Sequence, residues 1–362
     1  METMESMPPL KFDTFVGVQN QDILIACCAF QQQRTLMVVL SDAYMKGANS
    51  GHGAIERNET YEGPSFKSSF LTKFEPLAIL GEGGFGSVFK ARSLKDNLIC
   101  AVKRIHPGES DDKLNYALSE VRALTSLNHE GIVKCHNSWN ETPPDENNVK
   151  RNSDAELLKR LRLDYSSLEG SYARSFIYIQ MEFCHYTLYY WLYRNTDRKL
   201  SRAKLWFRQL VSAVNYLHQN HLIHRDLKPR NILFADSDHL KICDLGLIAE
   251  LEMQSGREIS KTRTSRTGTR NYMAPEQFGC KYTSKVDIFS LGLILVEICV
   301  CLTNRQSEEV FQNYRSGMTN DVLKDHPESD AFVSSLTSYN PTDRPDCEKI
   351  LAHQFLKTSE EL

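Results

Sequence analysis

No CxxC pair occurs among the ten cysteines, and none of them clusters with histidine at zinc spacing. A disulfide framework and a structural zinc site are therefore both disfavoured, and free thiols in a reducing compartment are expected. The first fifteen residues hold no basic stretch followed by an apolar run, so no secretory leader is read there. Long hydrophobic runs are also missing. Residues 23–30 and 289–302 are the most apolar stretches, and both fall short of the roughly 20 residues a membrane span needs. The second carries Glu297 and reads as a buried helix. Neither charge sign dominates: the net charge is -3 over 362 residues, which gives no footprint for nucleic acid. A soluble protein of the cytoplasm, without membrane or nucleic-acid binding, is the expectation.

What is present is an ordinary globular composition, 41% hydrophobic and 25% charged. Residues 1–70 have mixed character and end in the Gly-, Ser- and Asn-rich run KGANSGHGAIERNETYEGPS, read as an extension and linker. From Phe74 the pattern is strand, glycine-rich turn, strand, then a turn at Lys95-Asp96-Asn97 and a third strand, LICAVKRI. In the next segment Leu114, Ala117, Leu118, Val121, Leu124 and Leu127 share one helical stripe, with Glu120 at its edge. Residues 140–174 are dense in charge and read as a surface insertion, with Ser153 and Glu156 as a capping box inside it. FIYIQMEFC resumes as a strand, and from about Leu188 the chain is mostly helical.

Several motifs carry chemistry. Gly81, Gly83, Gly84, Gly86 and Val88 fit GxGxxGxV. Glycines there let backbone N–H groups approach phosphate closely. A dinucleotide fingerprint would need a helix after them, and a strand follows instead. A glycine-rich hairpin without ligand is the plain alternative for that motif alone. Lys103 ends an apolar strand, Ala101-Val102-Lys103, where a charge is costly unless paired; Glu120 on the following helix is its natural partner. His224-Arg225-Asp226-Leu227-Lys228-Pro229-Arg230-Asn231 matches HRDLxxxN without a gap, and Asp244-Leu245-Gly246 follows, with Leu245 where Phe is usual. Leucine there keeps an apolar plug but loses aromatic area. Ala274-Pro275-Glu276 comes next, and Arg344 is a plausible partner for Glu276.

With these motifs, residues 74–356 resemble the eukaryotic protein kinases. The segments HNSWNETPP, FIYIQMEFC, GTRNYMAPEQ and SKVDIFSLGLILVEI are similar, more narrowly, to kinases of the α-subunit of translation initiation factor 2. FEPLAILGEGGFG and CHYTLYYWL resemble the haem-regulated branch and HNSWNETPP the endoplasmic-reticulum stress branch, and the branch stays open. The resemblance implies an α+β, two-lobed fold. Residues 71–184 would form a small β-rich lobe with one helix, 185–357 a larger helical lobe, and 358–362 a tail. It implies ATP as co-substrate with Mg2+. Asp226 would accept the hydroxyl proton, Lys228 would neutralise the transferred phosphoryl group, and the Lys103–Glu120 pair would hold the α- and β-phosphates. Asn231 and Asp244 would bind the metal. Val88 and Ala101 would roof the adenine, Leu233 would floor it, Met181 would stand behind it, and backbone groups of Glu182 and Cys184 would meet its edge.

The same resemblance implies a stress-activated, translation-repressing enzyme that autophosphorylates as a homodimer. Thr264 would be the activating site, Arg225 its charge partner, and Thr269 part of the substrate-side wall. A helix over Ser307–Arg315, capped by Ser307 and closed by Gly317, would dock the factor, with Val310, Phe311 and Tyr314 either in the core or in the contact. No transmembrane segment, lumenal sensor, double-stranded-RNA module or synthetase-like domain is read, and the absence of any Cys-Pro dipeptide gives haem no support. The rival readings are a Ser/Thr kinase with another substrate, and a pseudokinase acting as a binding module, which the intact Lys103, Asp226, Asn231 and Asp244 oppose.

Overall fold

Strand alternation explains the smaller lobe. The computed structural model describes residues 68–83, 86–105, 111–141, 176–254, 257–260, 268–279, 282–318 and 320–357. Strands β1 (Phe74–Gly83), β2 (Gly86–Ser93), β3 (Ile99–Ile105), β4 (Cys135–Glu141) and β5 (Phe176–Glu182) form one antiparallel sheet in the order β1-β2-β3-β5-β4. The β2–β3 turn is set by Asn97, at φ 62°, and by Asp96, which accepts from the Leu98 amide at 3.2 Å. Because successive side chains point to opposite faces, the sheet has two cores. Phe89, Ala91, Cys100, Val102, Phe176 and Tyr178 pack on the outer face. Ile105, Ile177 and Ile179 join the main core on the other. Lys103, in phase with Ile105, thereby faces the cleft.

The outer face is closed by a short helix that straddles the boundary drawn at residue 70, α1 (Ser69–Lys73). Ser68 caps it through the Leu71 amide. Its Phe70 is fully buried, with ring centroids 5.8, 5.6 and 5.5 Å from Phe74, Phe89 and Tyr178. Trp139 stacks on Phe74 and Tyr178, and the Phe70 amide donates to the buried Glu141 carboxylate at 3.1 Å. The inner face takes α2 (Asp111–Ser126), which buries Ala117, Glu120, Ala123 and Leu124. The proposed Ser153–Glu156 capping box lies outside the described residues.

The larger lobe follows from two helices of different pattern. Helix α4 (Leu200–Gln219) is amphipathic and buries Ala203, Phe207, Leu210, Val214 and Leu217 on one stripe. Before it come β6 (Tyr186–Thr187) and α3 (Leu188–Arg194). Helix α5 (Lys285–Cys299) is apolar almost all round and sits inside the lobe, so the apolar run that begins at 289 is a core helix as far as Cys299. Short strands β7 (Leu222–Ile223), β8 (Ile232–Phe234) and β9 (Leu240–Ile242) frame the loop between the lobes. Strands β10 (Ala249–Gln254) and β11 (Arg257–Ser260) follow as a hairpin that the sequence reading did not place. Among the described residues no helix is long and apolar enough to cross a membrane.

One boundary is corrected. The helix expected from Ser307 is α6, Asn304–Arg315, one turn longer at its start. Thr303 is its cap and forms a capping box with Gln306, a Thr-x-x-Gln pattern that outcompetes Ser307. The chain leaves it at Gly317, φ 69°. Phe311 and Tyr314 are buried, which assigns that stripe to the core. Helices α7 (Pro327–Leu336) and α8 (Cys347–Ala352) complete the lobe.

Phe70→Ala should open a cavity in the aromatic core and destabilise the smaller lobe by roughly 3–5 kcal/mol. Denaturant unfolding read by tryptophan fluorescence checks this, and an unchanged midpoint would show that α1 is dispensable.

Candidate active site

The cleft between the lobes is organised by three charges. Lys103 Nζ lies 2.6 and 2.8 Å from the two Glu120 carboxylate oxygens and 3.1 Å from Asp244 Oδ1. Burial works against the ammonium, but the Glu120 and Asp244 charges outweigh it and raise Lys103 above the ordinary lysine value. Burial pushes Asp244 up too, yet Lys103 dominates and holds its carboxyl below the usual range. Asp244 sits in the left-handed region, φ 60° and ψ 71°, which aims its carboxylate at Lys103. Leu245 behind it is fully buried in the main core. A Cβ on Gly246 would stand 3.3 Å from Glu120 Oε2 and 3.4 Å from Asp244 Oδ1, so only glycine leaves both carboxylates undisturbed.

The catalytic loop is held from beneath. The amides of His224 and Arg225 both donate to the Asp287 carboxylate at 2.9 Å, and His218 Nε2 stands 2.9 Å from the same group. Asp287 is wholly buried on α5; burial raises its carboxyl, and the His218 contacts more than offset this, so it stays ionised. Arg225, at φ 68°, is buried as well. Its guanidinium donates to the carbonyls of Leu247 and Ile248 and to the Tyr282 hydroxyl.

This support presents Asp226. Its Oδ1 accepts the Thr269 amide at 2.7 Å; its Oδ2 accepts Lys228 Nζ at 2.7 Å and Asn231 Nδ2 at 3.1 Å. Lys228 also donates to the Thr269 hydroxyl at 2.6 Å. The close approach depends on Gly268, at φ 120°, where a Cβ would meet the Arg225 carbonyl at 2.6 Å. Asn231 Oδ1 and Asp244 Oδ2 accept no hydrogen bond among the described residues. Two oxygen donors are thus left for a hard cation such as magnesium, and the donor set fits it.

The nucleotide-site residues are placed as follows. Gly81 and Val88 pair across β1 and β2, as do Gly83 and Gly86; Ala101 pairs with Met181 across β3 and β5. Gly86 has φ 129° and no room for a Cβ, which would meet the Arg104 carbonyl oxygen at 1.9 Å. Val88, Met181, Cys184 and Leu233 are half-buried and Ala101 is buried. The Glu182 amide donates to the Lys134 carbonyl at 3.0 Å, so it is not a donor for a base edge. Burial pushes the Cys184 thiol up to about 12. Gly84 and Thr264 lie outside the described residues.

Glu276 and Arg344 meet in a bidentate pair at 2.6 and 3.0 Å, with the arginine side chain fully buried. Arg344 also donates to the carbonyls of Ser338, Lys285 and Tyr339 and lies over Phe289. A charge so placed is stable only with its partners.

Two residues escaped the sequence reading, and a third, Glu297, was read only as part of a buried helix. Asp287, Tyr272 and Glu297 belong to the site's support. An ionisable residue in an almost wholly apolar helix is the signal that could have found the two acids. Tyr272 donates to Glu297 at 2.8 Å, just beyond Thr269.

This constellation defines the class. The protein kinase domain model matches residues 74–356, and the chain belongs to the protein kinase family. Within that family it is similar to the mouse interferon-induced, double-stranded RNA-activated protein kinase, 37% identical over 78% of this chain and 50% of the relative. It is also 37% identical, over 51% of the chain and 19% of the relative, to the eukaryotic translation initiation factor 2-alpha kinase pek-1 of Caenorhabditis elegans. The mouse eukaryotic translation initiation factor 2-alpha kinase 1 is 26% identical over 81% of this chain and 68% of its own length. The chain spans about half the length of the mouse RNA-activated relative. The narrower resemblance read from the sequence agrees with these names.

Burial raises the Glu297 carboxyl to about 7, against the pull of the Tyr272 hydrogen bond and the Arg198 charge. The unfolded chain binds this proton less tightly, near the ordinary 4.5. The contribution to stability is therefore full below the unfolded value and is lost as pH rises through the folded one. Glu297→Gln removes that loss. Between about pH 5 and pH 8 the variant should gain roughly 3 kcal/mol on the parent. Denaturant unfolding at each pH checks this, and parallel profiles would count against a titrating Glu297.

Proposed function

We propose that this chain transfers the γ-phosphoryl group of ATP to serine or threonine hydroxyls of protein, and that its substrate is the α-subunit of translation initiation factor 2. The carrying observation is the assembled constellation: Lys103 closed on Glu120, with Asp226 fixed by Thr269, Lys228 and Asn231. Asp226 orients the acceptor hydroxyl and takes its proton. Lys228, already between Asp226 and Thr269, faces the charge that develops on the transferred group. Lys103 holds the α- and β-phosphates in line. Magnesium, when bound at Asp244 and Asn231, would neutralise charge on the phosphate oxygens. Little covalent work falls to the protein, so positioning and charge carry the rate.

The substrate rests on the relatives' names and on the sequence resemblance. The factor docks on α6, whose Glu308 and Glu309 are exposed. The enzyme acts in the cytoplasm, dimerises, and autophosphorylates Thr264, represses translation under stress, and pairs the new phosphate with arginine.

Lys103→Arg and Asp244→Asn should each reduce transfer to the purified factor by more than about a hundredfold with the melting temperature little changed. Glu308→Lys should impair the factor and spare a short generic peptide. Substantial turnover in folded Asp244→Asn would remove the catalytic assignment, and equal loss on both substrates would remove the docking role.

Thr264→Ala should leave a slow enzyme that phosphatase treatment slows no further. Mass spectrometry and initial rates before and after treatment check this; full activity in the variant would discard the activating role.

A further inference from the structure

The last turn of α6 reaches the wall of the acceptor site. Phe311 and Arg315 are four residues apart, so they stand one above the other on a single face of that helix. The Phe311 ring centroid lies 5.4 Å from that of Tyr272. Arg315 grips the same stretch of chain by its backbone. Its Nη1 donates to the Asn271 carbonyl at 2.6 Å and to the Arg270 carbonyl at 3.3 Å. Its Nη2 donates to Gln312 Oε1 at 3.3 Å, three residues back on α6, which fixes the plane of the guanidinium. Among the described residues Arg315 forms no ion pair, so its charge is directed at neutral oxygens.

Those carbonyls belong to the turn Arg270–Tyr272, which follows Thr269 directly. Both ends of this stretch have other holds. The Thr269 amide donates to Asp226 at 2.7 Å, and the Thr269 hydroxyl accepts Lys228 at 2.6 Å. The Tyr272 amide donates back to the Thr269 carbonyl at 3.0 Å. The Tyr272 hydroxyl donates to Glu297 and its carbonyl accepts Ser290 Oγ, both at 2.8 Å.

Arg270 and Asn271, between these ends, are exposed. Without Arg315 their carbonyls would turn to water, which satisfies them in many directions and fixes none. A hydrogen bond from a guanidinium is charge-assisted and stronger than a neutral one. The cation is also favoured where it sits, in the last turn of a helix. Arg315 therefore clamps the middle of the turn that carries Thr269.

We propose that Arg315 is a positioning residue for the transfer: by holding the carbonyls of Arg270 and Asn271 it keeps Thr269 seated on Asp226 and Lys228, and so sets where the acceptor hydroxyl stands. It acts through Thr269 and not on the reacting atoms. This rests on the kinase reading above.

The test uses the full chain and a short generic serine peptide, so that docking of a large substrate does not enter. Arg315→Met keeps a long side chain and removes the donors. Its kcat for the peptide should fall about tenfold to a hundredfold, with the KM for ATP unchanged. Arg315→Gln, polar enough for a helix end but too short to reach both carbonyls, should fall likewise, and it stands in where methionine costs folding. Arg315→Lys returns a cation within reach of the carbonyls and should recover most of the loss. Thr269→Ala combined with Arg315→Met should lose less than the product of the two single losses, because both act on one seat. An unchanged peptide rate in Arg315→Met and Arg315→Gln would overturn the proposal, even if the protein factor alone were phosphorylated more slowly, since that would make Arg315 a docking contact. A folded Arg315→Lys as slow as Arg315→Met, losses that multiply in full, or a KM for ATP that rises as kcat falls would overturn it as well, by pointing to a general loosening of the lobe. No transfer to any peptide by the parent enzyme would overturn the kinase reading and the positioning role with it.

Discussion

The site depends on one buried carboxylate that touches no substrate. Asp287 takes the amides of His224 and Arg225 and the ring of His218. Arg225 is held with φ at 68°, a conformation rarely adopted by a side chain of its size. The two amide bonds supply what holds it there, and the next residue is Asp226. Since α5 is the most buried helix of the larger lobe, the catalytic aspartate inherits the rigidity of the core. Arg344 does comparable work at the other end, joining Glu276 to three backbone carbonyls around α5.

Between these anchors the two lobes meet through charge. Lys103 belongs to the sheet, Glu120 to α2 and Asp244 to the segment leaving β9, and their three-way contact exists only when all three elements are in register. Removing the ammonium would leave two carboxylates facing one another in a poorly hydrated cleft. The contact therefore reports the arrangement that a nucleotide phosphate requires.

Much of this was legible in residue order. Strand alternation and the helical stripe placed Lys103 and Glu120 face to face, and an ungapped HRDLxxxN run gathered Asp226, Lys228 and Asn231. What stayed hidden was long-range or locally ambiguous. Phe70 looked like part of a linker because a single apolar residue carries no period; its role exists only with Phe89 and Tyr178 around it. The start of α6 was misplaced because Thr303 and Ser307 are both competent caps, and Gln306 decides between them. The hairpin of β10 and β11 was hidden by charge, which is as common in a strand edge as in a loop. Asp287 was passed over just ahead of the apolar run at 289–302, although a lone acid there demands partners.

The aromatic core of the smaller lobe has a geometric corollary. The Phe70 amide bonds to Glu141, and Glu141 pairs across the sheet with Phe176. Residues 68, 141 and 176 are the points where the described lobe joins residues 1–67 and 142–175. Phe70, Glu141 and Phe176, far apart along the chain, thus come together at a single corner of the sheet. Glu141 joins the other two, so a displacement of either α1 or the end of β4 reaches the edge of the sheet at the same carboxylate.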